Sequence, residues 1–81
     1  MSISDNILPQ LEFYRELCNF TSDERKLFDL RAKNITLDEC CYELGIDDIS
    51  GVKRLHTRVK KKMKLAESLV NMEKWIKEHY E

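Results

Sequence analysis

An all-α domain of four to five short helices is the fold this sequence predicts, and three observations predict it. Gly and Pro together supply only three of the 81 residues, too few to punctuate a chain of strands and tight turns. Apolar residues recur every three or four positions along most of the chain instead of alternating, which is the signature of helices with one buried face. Two capping boxes, Thr21-Ser22-Asp23-Glu24 and Thr36-Leu37-Asp38-Glu39, mark helix starts directly. With 81 residues and 42% hydrophobic side chains, the chain is expected to form one small domain over residues 1–81, since a second core would have too little apolar surface.

Ile7, Leu8, Leu11, Tyr14, Leu17 and Cys18 follow the helical period and place an N-terminal helix over about residues 5–19, with Pro9 acceptable in its first turn. Thr21 can accept from the Glu24 amide while Glu24 reaches back to the Thr21 amide. A scaffold helix over residues 21–34 follows, with Leu27, Phe28 and Leu30 as its apolar side and Asn34, tolerant of left-handed backbone, at its end. The second box opens a helix of about eight residues, in which Cys40, Cys41 and Leu44 share a side and Gly45 stands just past the C-terminus. Asp47, Asp48 and Ser50 are three candidate N-caps for the next helix. There Val52, Leu55, Val59 and Met63 repeat three and four apart and the opposite face is basic. Leu65, Leu69, Met72, Ile76 and Tyr80 extend the period into a C-terminal helix over about residues 65–80, which either follows the basic helix or continues from it. Its apolar stripe is expected to pack back on the N-terminal helix; the alternative is a homodimer seam through this C-terminal helix.

The net charge of -1 hides a strong polarity. Residues 1–48 carry five Lys/Arg against eleven Asp/Glu, residues 49–66 carry seven Lys/Arg and no acid, and residues 67–81 carry two against four. One segment is therefore a basic stripe in an otherwise acidic chain.

Several chemistries lack their residues. Cys18, Cys40 and Cys41 are an odd number with two adjacent, neither a disulfide framework nor a spaced zinc pair, so they are expected to remain reduced, with Cys40 and Cys41 acting as small core residues. No metal and no cofactor are expected. His56 and His79 have no Ser, Cys or carboxylate at a spacing that would make a nucleophile and base, so an enzyme is not expected. Trp75, Tyr14, Phe13, Phe20 and Phe28 lie on acidic segments or apolar helix faces and read as core rather than as a base-stacking platform. No apolar run approaches the roughly 20 residues that cross a bilayer. The start Met-Ser-Ile-Ser-Asp also lacks the features of a signal peptide, so a soluble, cytoplasmic protein without a membrane partner is expected.

A helix of about eight residues, a turn at Gly45-Ile46 and a longer basic helix describe a helix-turn-helix over residues 36–63. Cys41, four residues before Gly45, falls where the two helices of such a motif cross and only a small side chain fits. The stretch from Ile35 to Met63, ITLDECCYELGIDDISGVKRLHTRVKKKM, resembles the helix-turn-helix of the fourth conserved region of bacterial sigma factors and the similar domain of response-regulator transcription factors. Those families share a small residue, three residues, Leu-Gly-Ile, then a Val and a run ending in basic residues. FTSDERKLFDLRAKN before it looks like their scaffold helix, so about 44 of the 81 residues are covered. One departure is that Val52 stands seven residues after Gly45 where family members typically have six, with Asp47 and Asp48 in the lengthened turn.

The resemblance implies a sequence-specific duplex DNA-binding transcription regulator, with residues 50–63 as recognition helix in the major groove and a contact with RNA polymerase or another protein. The small size fits a phage or mobile-element regulator. With Val52, Leu55 and Val59 turned inward, Ser50, Lys53, Arg54, Thr57, Arg58 and Lys61 turn outward. Arg54 suits bidentate guanine readout, Lys53 and Ser50 nearby bases, and Arg58 and Lys61 backbone phosphate. Thr36, with the free amides of its helix start, suits a further phosphate. The rival reading is a protein-interaction module, inhibitory or anti-sigma-like, that uses the acidic surface without reading DNA.

Overall fold

The computed structural model describes residues 2–80 and contains five α-helices among them: α1 (Leu8–Leu17), α2 (Ser22–Ala32), α3 (Leu37–Leu44), α4 (Ile49–Leu69) and α5 (Met72–Tyr80). A single 3-10 turn, Ile3–Asp5, precedes α1, which is accordingly shorter than the span of residues 5–19 expected for it. Ile7 is extended, and its amide donates to the Gln10 side chain at 2.9 Å, so the helix begins at Leu8 with Pro9 in its first turn.

The first capping box forms in both directions: the Glu24 amide donates to Thr21 Oγ1 at 3.3 Å and the Thr21 amide to Glu24 Oε1 at 2.8 Å. Asn34 takes the left-handed backbone expected of it, with φ of 64°. In α3 the Thr36 hydroxyl accepts the Glu39 amide at 3.2 Å. Gly45, at φ 67°, ends α3 in a Schellman motif: the Ile46 amide donates to the Cys41 carbonyl at 2.9 Å and the Gly45 amide to that of Tyr42 at 3.3 Å. Of the three candidate caps for α4, Asp48 takes the position.

The sequence leaves open whether the C-terminal helix follows the basic helix or continues from it; α4 carries the basic helix on past residue 65, where the C-terminal helix is expected to begin, and so corrects that start. It runs unbroken for 21 residues to Leu69, because Lys60 to Leu69 are nearly all good helix formers and include no Gly, Pro or β-branched residue. The break falls at Val70, which is extended, and Asn71, whose side chain accepts the Lys74 amide at 3.0 Å and so caps α5.

The inward faces of the helices meet in one cluster. Phe13, Leu27, Phe28, Cys40, Val52 and Val59 are fully buried in it, with Ile3, Tyr14, Leu55 and Met63 around them. α4 is the central element, packed by α2, α3 and α1. α5 lies on α1, where the Trp75 ring meets Phe13 edge to face at 5.6 Å. The C-terminal apolar stripe therefore divides. Met72 packs against the core as expected, beside Trp75, and Ile76 is half-buried, whereas Leu65 and Leu69, which ride on α4, are 58% and 74% exposed and Tyr80 is exposed as well. A second correction concerns α3. Cys40, not Cys41, is its fully buried cysteine; its thiol points at the Ile35 carbonyl 3.9 Å away, while Cys41 is half-buried at the edge of the cluster.

Candidate nucleic-acid interface

The α3–turn–α4 unit holds its angle through local contacts. Ile46 turns back into the core, and a Cβ placed on Gly51 would stand 3.1 Å from the Ile46 side chain, so Gly51 lets the first turn of α4 close against the connection. The four residues from Gly45 to Asp48 make that connection. With Val52, Leu55, Val59 and Met63 buried, α4 turns Lys53, Arg54, Thr57, Arg58 and Lys61 to solvent on one continuous face.

The residues assigned from sequence differ in how free they are. Lys53, Arg54 and Lys61 are exposed. Thr57 is exposed too, and its hydroxyl donates to the Lys53 carbonyl at 3.0 Å, a bond within the helix that orients it. Ser50 is half-buried, and its hydroxyl donates to Asp48 Oδ2 at 2.7 Å, so its proton is already engaged. Those Ser50 hydrogen bonds, side chain first and amide second, hold the Asp48 carboxyl below its ordinary range. A fixed negative charge thus sits at the entry to α4. Thr36 is exposed, but its oxygen caps Glu39, and the first turn of α3 carries Asp38 and Glu39, which repel a phosphate.

Arg58 has a second role that the sequence did not display. Its Nε lies 3.7 Å from Glu24 Oε2, while Lys62, one turn further along α4, reaches Glu24 Oε1 at 2.6 Å. Glu24 is only 3% exposed. Burial disfavours its charge, yet the Lys62 ammonium and the Thr21 cap outweigh burial and bring the carboxyl below its ordinary range. The capping box alone accounted for Glu24 in the sequence; its second oxygen and the i, i+4 pair Arg58 and Lys62 were the available signal. Through this clamp α2 fixes the rotation of α4, and so the direction in which Arg54 and Lys61 point.

A parallel tie joins α1 to the far half of α4, where the Tyr14 hydroxyl donates to Glu67. Burial and that carboxylate raise the Tyr14 pKa and push the neighbouring Cys18 thiol up to about 11, which keeps Cys18 protonated and unreactive. His56, half-buried, is lowered by burial and then by the charges of Arg31 and Lys60. Among the described residues no group of three His, Cys, Asp or Glu is placed to hold a metal ion, and no helix is long and apolar enough to cross a membrane. Comparison with protein-family models, curated proteins and solved structures finds no match for this chain.

Proposed function

We propose that the protein is a sequence-specific duplex DNA-binding regulator of transcription in which the first half of α4 is the recognition helix. The observation that carries this reading is the outward face of α4, where Lys53, Arg54, Thr57, Arg58 and Lys61 stand exposed together behind a short helix and a tight turn. A helix presented this way matches the width of the major groove, and a segment with seven cations and no acid supplies the attraction that DNA binding needs. Arg54 reads a base edge, while Lys61, about two turns on, meets the backbone. Arg58 contributes charge while still tied to Glu24, and Ser50 serves as a cap. Asp38 and Glu39 keep the start of α3 away from phosphate, and Asp47 and Asp48 do the same at the entry to α4, so the contact falls on α4 from Lys53 onward.

One observation favours a protein-interaction module instead. Tyr42 is 87% exposed on α3 among Asp38, Glu39 and Glu43, an arrangement suited to a basic protein surface. Selection of random duplex DNA by the full chain, followed by sequencing, separates the two. DNA binding yields an enriched motif and an affinity whose log-log salt slope is about -0.9 per phosphate contacted. Arg54→Ala then costs about 1 to 3 kcal/mol and relaxes preference at one base pair, whereas Lys61→Ala weakens all sequences alike and lowers the slope by about one. No enrichment, or binding insensitive to salt, rejects the DNA reading in favour of the protein-binding one.

A further inference from the structure

One flank of α4 belongs neither to the core nor mainly to the outward basic face. His56, Lys60, Lys64 and Glu67 recur along it, and the segment from Ser2 to Asn6 together with Tyr14 lies opposite, leaving a groove of about 550 Å³. That volume is within the range of about 300 to 1,000 Å³ typical of small-ligand sites. The floor is formed by the edges of the core side chains Met63 and Tyr14, 8% and 2% exposed. One rim is cationic, with Lys61 and Lys64 in the lining beside Lys60. Glu67 is the acid in the lining, and one of its oxygens already accepts the Tyr14 hydroxyl.

We propose that this groove binds a small aromatic monoanion, its ring on Tyr14 and Met63 and its charged group between Lys61 and Lys64. The apolar floor selects a flat hydrophobic body, for which the Met63 thioether is a favourable neighbour. Lys61 and Lys64, one turn apart on α4, repel one another, and an anion between them relieves that repulsion. The Glu67 carboxylate sets the limit of a single charge, because a second anionic group on the ligand would face it. Thr57 and Lys61 also belong to the face proposed for DNA, so occupancy would compete with DNA. That corollary rests on the DNA reading, while the site itself does not.

Anilinonaphthalene sulfonate is the probe, titrated into the full chain without DNA and followed by fluorescence and by amide chemical shifts, so a failure of the DNA reading leaves the result unaffected. Saturable one-site binding is expected, with shifts at Asn6, His56, Met63 and Lys64. Lys64→Glu should weaken it about fivefold or more at unchanged melting temperature, because it reverses a charge on the rim. Leu69→Ser, on the separate exposed apolar patch, should leave affinity unchanged. The uncharged analogue phenylnaphthylamine should bind at least severalfold more weakly. Shifts centred on Leu65 and Leu69, an affinity for Lys64→Glu within twofold of the parent, or equal binding of the uncharged analogue would each overturn the proposal.

Discussion

The Glu24 clamp shows how a single buried carboxylate couples stability to the orientation of an exposed surface. Its two partners are not equivalent, because Arg58 is 64% exposed in its side chain and Lys62 is 34% exposed, whereas Glu24 is 4% exposed. Removing the acid lets both cations turn to water; removing Lys62 leaves the buried acid with only the Thr21 amide and the more distant Arg58. Lys62→Met should therefore cost about 1 to 3 kcal/mol at neutral pH, the range for leaving a buried acceptor short of a partner, and Glu24→Gln distinctly less. A denaturant melt in which Glu24→Gln is the more damaging change would show that Lys62 is not the ion that holds Glu24. The cysteine pair offers a second test on the same scale. Cys40 has no exposed surface, so Cys40→Leu overpacks the core and should cost about 1 to 3 kcal/mol. Cys41→Leu has the half-open edge of α3 to expand into and should cost less. Equal melting temperatures for the two leucine variants would contradict the burial difference between neighbouring thiols.

The starts of α2 and α3 were legible because capping is local chemistry. Thr21 and Thr36 each accept the amide three residues on, and Gly45 turns the chain with the positive φ that glycine adopts at low cost. The end of α4 was not legible, because its apolar repeat passes through Met63, Leu65, Leu69 and Met72 without interruption and periodicity alone cannot mark a bend. The signal was Val70-Asn71, a β-branched residue followed by a good N-cap, masked by the continuing stripe. In the candidate interface, periodicity identified which face of α4 is exposed. It could not reveal that Ser50 is tied to Asp48 or that Arg58 leans on Glu24, since both depend on where the turn and α2 place a carboxylate. Asn71→Ala should remove the cap of α5 at a cost of about 1 kcal/mol. Because Trp75 joins α5 to Phe13 on α1, the loss should appear in Trp75 fluorescence at lower denaturant than in helix content. Coincident transitions by both probes would mean that α5 unfolds only with the rest of the core.

Over the whole molecule, the acidic N-terminal half and the basic α4 are folded against one another, so part of the charge polarity is used for cohesion and part remains outward. The groups that carry the cohesion give stability a defined dependence on pH. His56 is lowered by burial and by Arg31 and Lys60, so the folded protein binds its proton less readily than the unfolded chain does. Stability should therefore fall as pH drops below the ordinary histidine value of about 6.5. Glu24, also lowered, acts over a more acidic window, since its contribution is complete above the ordinary glutamate value of about 4.3 and is lost as pH falls through its folded value. The melting temperature should thus decline in two stages on acidification. His56→Gln should flatten the first stage and leave the second, while Glu24→Gln should flatten the second and leave the first. A first stage that survives in His56→Gln would mean that a different group, not the imidazole beside Arg31 and Lys60, takes up the proton near neutrality.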